Sequence, residues 1–117
     1  MPNFDHVDCL KQWRRAYLDS NQATLNWMLS RPFLQGVFIN TKMNSITGED
    51  FTKADGWRGP DIILGWIQGR GLEAIVTHAA FFESIDKDLS TRLDQAGLAL
   101  FKALVDLFKQ NNKGYFA

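Results

Sequence analysis

Apolar residues recur along the chain in three stretches at helical spacing, parted by one long and one short polar interruption. Over 5–30, Leu10, Trp13, Tyr17, Leu25 and Met28 fall near one face at intervals of three, four or their sums, which predicts a helix. Ser20-Asn21 weakens its middle and allows a bend there. Pro32 ends it, because the residue before a proline avoids the α region. Gly36 then opens Val37-Phe38-Ile39-Asn40-Thr41, whose β-branched and aromatic content predicts a short strand. Asn44-Ser45 and Thr47-Gly48 are turn formers, so a small hairpin is expected between the first and second helices. The polar, glycine-containing stretch 49–60 reads as loop.

Pro60 suits the first turn of a second helix. Within it Leu64, Ile67, Gly71, Ile75, His78 and Phe82 form one apolar stripe, while Trp66, Arg70, Glu73 and Thr77 form another of mixed character. A short polar link, 84–88, leads to a third helix ending near Asn111. Leu89, Leu93, Ala96, Leu100, Leu104 and Leu107 give its inner face, with Arg92, Gln95, Lys102 and Lys109 outside. A weak repeat is also visible. The first helix runs into Gly36-Val37-Phe38 and the third into Gly114-Tyr115-Phe116. A lone strand end lacks a partner, so the expectation is the beginning of a longer protein of repeated helix pairs.

At 117 residues the chain is one domain, 1–117, with a modest core. Thirteen basic and thirteen acidic residues cancel without any long block of one sign, which gives no footing for nucleic acid or a membrane surface as partner. Cys9 is the single cysteine, so no internal disulfide forms, and no His or Asn pattern marks it as a nucleophile. The first residues lack the basic and apolar regions of a signal peptide, and no apolar run reaches membrane-spanning length. A cytoplasmic location is the expectation.

One cluster departs from this ordinary picture. Trp66-Ile67-Gln68-Gly69-Arg70 places an aromatic ring, an amide and a guanidinium inside the apolar run 62–82. Burying an unpaired charge costs several kcal/mol, roughly. Arg70 is therefore expected either to be paired in the core, with Glu73 at i+3 the available carboxylate, or to face a polar cavity. Gln68 and Gly69 are read as packing residues. His6 and His78 are poor catalytic candidates, the first in an opening turn and the second on the apolar stripe. No His, Cys, Asp or Glu grouping has metal spacing and no cofactor is implied.

Gly36-Val37-Phe38, a hairpin ending near Thr47-Gly48, and Trp66-Ile67-Gln68-Gly69-Arg70 on a helix together resemble the N-terminal part of the N-acylglucosamine 2-epimerase superfamily, which includes cellobiose 2-epimerases and mannose isomerases. The resemblance implies an all-α fold, the first part of an α/α barrel of alternating outer and inner helices with a small β-hairpin between helices one and two. It implies epimerisation or isomerisation of a free reducing sugar, a monosaccharide or disaccharide, by proton transfer next to the carbonyl. On that footing Arg70 contacts the sugar near its reacting end, Trp66 packs on the pyranose face, and Glu73 holds Arg70 or a hydroxyl. The proton-transferring histidines of the family come from later inner helices, beyond Ala117, so this chain alone is expected to be inactive. Members of the family often carry an aromatic residue soon after the arginine, where this chain has Gly71-Leu72-Glu73. A homo-oligomer stays open.

Three other readings compete. Gly69-Arg70-Gly71-Leu72-Glu73-Ala74 fits a loose dinucleotide fingerprint, but helical spacing runs straight through its glycines and no strand follows. A non-catalytic helical interaction fragment would expose apolar faces and self-associate. Glycoside hydrolysis on the same fold needs two carboxylates across a cleft, and nothing pairs Asp55, Asp61 and Glu73.

Overall fold

The computed structural model describes residues 6–111. It is mostly helical: α1 spans His6–Ser30, a 3-10 helix Lys53–Arg58, α2 Gly65–Phe82 and α3 Lys87–Asn111. Two compact units are distinguished, Met1–Ser30 and Arg31–Ala117. The Gly114-Tyr115-Phe116 half of the expected repeat lies outside the described residues.

In the first unit, α1 is unbroken through Ser20-Asn21. Its side chains bond locally: Arg15 pairs with Asp19 at 3.1 Å, and Asn26 Nδ2 donates to the Gln22 carbonyl at 2.8 Å. Leu25 is its buried residue, whereas Leu10, Trp13 and Tyr17 are exposed.

In the second unit the core lies between α2 and α3. Ile75, Ala79 and Phe82 face Leu89, Leu93, Leu100 and Leu104, and all are buried. Burial of each such aliphatic or aromatic side chain contributes about 1.5–3 kcal/mol. The helices run back along each other. Ser90 Oγ donates to the Ala79 carbonyl at 2.7 Å, and a Cβ placed on Gly97 would stand 3.1 Å from Ile75 Cγ2. The turn between them is closed by Asp86, whose backbone N–H donates to the Phe82 carbonyl at 2.8 Å. Its Oδ1 accepts from the Leu89 N–H at 3.1 Å, capping α3.

The expected strand at 37–41 is not formed, and among the described residues there is no strand at all. Only isolated antiparallel bridges occur, Leu34 with Phe38 and Met43 with Asp50. The physical reason is that the groups a second strand would pair are already taken. Gln35 (φ 52°) and Gly36 (φ 79°) reverse the chain within Leu34–Phe38, and the Leu34 N–H donates to the Phe38 carbonyl at 2.8 Å. Next, the Ile39 N–H donates to Gln68 Oε1 and the Ile39 carbonyl accepts from Gln68 Nε2, both at 2.9 Å. The second turn does form where Asn44 to Gly48 suggest it: the Asn44 N–H donates to the Glu49 carbonyl at 2.8 Å.

The second helix also begins later than Pro60. Lys42 Nζ donates to the carbonyls of Gly59 (2.7 Å), Trp57 (3.5 Å) and Ile62. Two of these, Gly59 and Ile62, are acceptors that a helix starting at Pro60 would need for its own N–H groups. The stretch expected as plain loop holds the 3-10 helix instead, with the Asp55 carboxylate accepting from the Thr52 N–H at 2.7 Å.

Candidate functional site

The residues singled out from the sequence share one face of α2 near its N-terminal end. Trp66 and Arg70 stand one turn apart, followed by Glu73 and Thr77, and all four are exposed, Trp66 at 69 %. Arg70 is therefore neither sealed in the core nor set in an enclosed cavity, and the expectation of burial is corrected. The error lies in treating the apolar run as buried on all sides. Periodicity carries Gln68, Ile75, Ala79 and Phe82 inward and the Trp66–Arg70 row outward. The alternative ion pair is also not made: among the described residues no ion pair joins Arg70 to Glu73.

What the motif does internally is carried by Gln68. It is 2 % exposed, and its amide meets both main-chain groups of Ile39. Gly71, one turn further on, lets Ile39 lie against the helix, since a Cβ there would come within 2.5 Å of Ile39 Cδ1. Gln68 is thus structural, not as a helix-packing residue but as a strut that locks the irregular segment 31–64 to α2 beside Trp66 and Arg70; Gly69, read with it as a packing residue, is exposed and has nothing within 4 Å of a Cβ placed on it. His78 Nδ1 sits 2.7 Å from the Ala74 carbonyl, an i−4 contact within the helix. His6 is exposed in the first turn of α1, and Cys9, a free cysteine, is half-buried there.

A second polar centre was not anticipated from the sequence. Arg31 donates to the Asn40 carbonyl at 2.8 Å and pairs with Asp50. Its side chain is only 11 % exposed. Arg58 lies over the Phe51 ring, 5.1 Å from the centroid. Lys42 is held by its three carbonyl partners, and burial pushes its amine below the ordinary lysine value. Lys42, Asp50 and Arg58, with Asn40, border a hollow of about 250 Å³ whose walls include Phe33, Phe51 and Pro60. The signal was present as Arg31, Lys42, Asp50 and Arg58 alternating with Phe33, Phe51 and two prolines. Nothing local in that pattern says the charges converge, because the two turns between them set the convergence.

Two further hollows are mainly apolar. One of about 410 Å³ lies between Phe38, Ile62–Leu64 and the C-terminal part of α3; the other, about 400 Å³, lies between Leu72 of α2 and Phe101, Val105 and Phe108 of α3. No group of three or more His, Cys, Asp or Glu able to hold a metal occurs among the described residues. No helix among them is long and apolar enough to cross a membrane. Comparison of the chain with family models, with curated protein sequences and with solved structures finds no match.

Proposed function

We propose that this chain supplies one wall of the sugar site of a cytoplasmic α/α-barrel enzyme, a sugar 2-epimerase or aldose–ketose isomerase. The observation that carries the reading is the exposed row Trp66, Arg70, Glu73 at the end of α2 to which the irregular segment 31–64 is strapped by Gln68. Its composition suits a polyol: an indole face for the C–H side of a pyranose, a guanidinium for oxygens, and a carboxylate for hydroxyls. Arg70 is free of any ion pair among the described residues and so has its donors available for an oxygen that gains charge as an enediolate forms. The barrel layout, with α2 as an inner helix and the turns of 34–50 standing where the family has its hairpin, rests on the sequence resemblance. The acid and base would be histidines supplied from beyond Ala117. The chain by itself is expected not to epimerise mannose, cellobiose or N-acylglucosamine.

The test is titration of the labelled 117-residue chain with mannose, N-acetylglucosamine and cellobiose, followed by NMR. Shifts are expected at the Trp66 indole and along Arg70 and Glu73, with affinity on the order of tens of millimolar for a one-walled site. Arg70→Ala should abolish them while leaving the fold intact, since the side chain is exposed. Absence of any shift on this face, or shifts that survive Arg70→Ala, would overturn the reading. The exposed apolar residues of α3 instead favour an interaction module, which sedimentation of the same sample would reveal.

A further inference from the structure

The hollow lined by residues of 32–60 has among them an amide donor that no internal partner uses. Asn40 is 9 % exposed and lines the hollow. Its Oδ1 accepts from the Lys42 N–H at 3.3 Å, whereas its Nδ2 donates to nothing among the described residues. Every fully buried side-chain nitrogen and oxygen among those residues has a partner, so Nδ2 is not sealed in packed protein, and the hollow is the open space that Asn40 lines.

Charge around that donor is unbalanced. Arg31 is answered by Asp50, and the protons of Lys42 are spent on main-chain carbonyls. Arg58 lies over the Phe51 ring and meets no carboxylate among the described residues. Two cations, Lys42 and Arg58, and one carboxylate, Asp50, therefore line the hollow. The volume, about 250 Å³, is small for a ligand site. At ~30 Å³ per water it holds a body of about eight or nine heavy atoms. Its walls of Phe33, Phe51 and Pro60 favour a flat apolar body.

We propose that this hollow binds a small organic monocarboxylate with a flat apolar body, its carboxylate held by Asn40 Nδ2 and the Arg58 guanidinium. A carboxylate oxygen recovers the hydrogen bond that the Asn40 amide otherwise lacks, and the acid's single charge matches the one cation without a partner. A phosphate dianion brings a second charge that no unpartnered cation of the lining answers, and a neutral sugar leaves Arg58 unmatched. The site is separate from the Trp66–Arg70 row and does not rest on the sugar reading.

The probe is benzoate, titrated into the labelled full chain, with benzyl alcohol and inorganic phosphate in parallel. Saturable shifts are expected at the Asn40 side-chain amide and at the Phe33 and Phe51 backbone amides, with Kd of order 1 mM. Arg58→Met, at an exposed position and still able to cover Phe51, should weaken benzoate about tenfold without altering the rest of the spectrum. Asn40→Asp, which keeps the acceptor for Lys42 but sets a like charge in the lining, should abolish binding. The proposal is overturned if benzoate causes no saturable shift at these residues. It is equally overturned if benzyl alcohol or phosphate binds as well as benzoate, or if Arg58→Met titrates like the parent chain.

Discussion

Gln68 does for this fold what a partner strand would do, presenting one donor and one acceptor to the backbone of Ile39. Replacing it by Met keeps the volume and leaves a buried N–H and a buried carbonyl without partners. Each such loss costs about 1–3 kcal/mol, so Gln68→Met is expected to destabilise the chain by roughly 2–6 kcal/mol, read as a lower urea midpoint at unchanged slope. Arg70→Ala, two residues on and exposed, should stay within ±0.5 kcal/mol, roughly. The contrast between the two separates the strut from the exposed row. Gln35 offers the opposite sign: with φ at 52° it holds a side chain in the left-handed region beside Gly36 at 79°. Gln35→Gly removes that penalty of about 1–2 kcal/mol but enlarges the unfolded ensemble. A net gain of a few tenths to about 1 kcal/mol is expected in thermal unfolding.

At the level of elements, the helices were legible and the connector was not. The inner faces of α2 and α3 are where periodicity puts them: Ile75, Phe82, Leu89, Leu93, Leu100 and Leu104 are buried. The connector was misread because local propensity at Val37-Phe38-Ile39 argues for a strand, while a side chain 29 positions away satisfies its backbone instead. The same holds for the start of α2, which Lys42 defers by taking carbonyls 15 to 20 positions along the chain. Lys42→Met should therefore loosen the 57–62 turn and cost about 1 kcal/mol. Desolvation lowers the Lys42 pKa in the folded chain, so just below the ordinary value of about 10.4 the unfolded chain binds more protons. Stability contributed by this group then rises with pH in that window. Lys42→Met should flatten the slope, as measured by urea unfolding between pH ~9 and ~10.5.

On the scale of the whole molecule, zero formal charge meets an apolar surface. The third helix carries a second stripe, Leu98, Phe101, Val105 and Phe108, at intervals of three and four. In the sequence it hides behind the Leu89–Leu104 face, which by itself accounts for an amphipathic helix. Leu98, Phe101 and Phe108 are 56 %, 54 % and 44 % exposed, and Phe101 and Phe108 border an apolar hollow with Leu72 of α2. Such a stripe attracts other apolar surface, and with basic and acidic residues equal in number no net repulsion opposes contact near neutral pH. The chain is therefore expected to self-associate with rising concentration at pH 7 and to do so less at pH 9, where its net charge is negative. Phe101→Lys adds a charge at the middle of the stripe, outside the α2–α3 core, and should weaken association by about tenfold or more while the far-ultraviolet dichroism stays unchanged. Sedimentation velocity over a hundredfold concentration range reads both effects. Association that is indifferent to Phe101→Lys would move the adhesive surface off α3, to the exposed Leu10, Trp13 and Tyr17 of α1, where Trp13→Lys repeats the test.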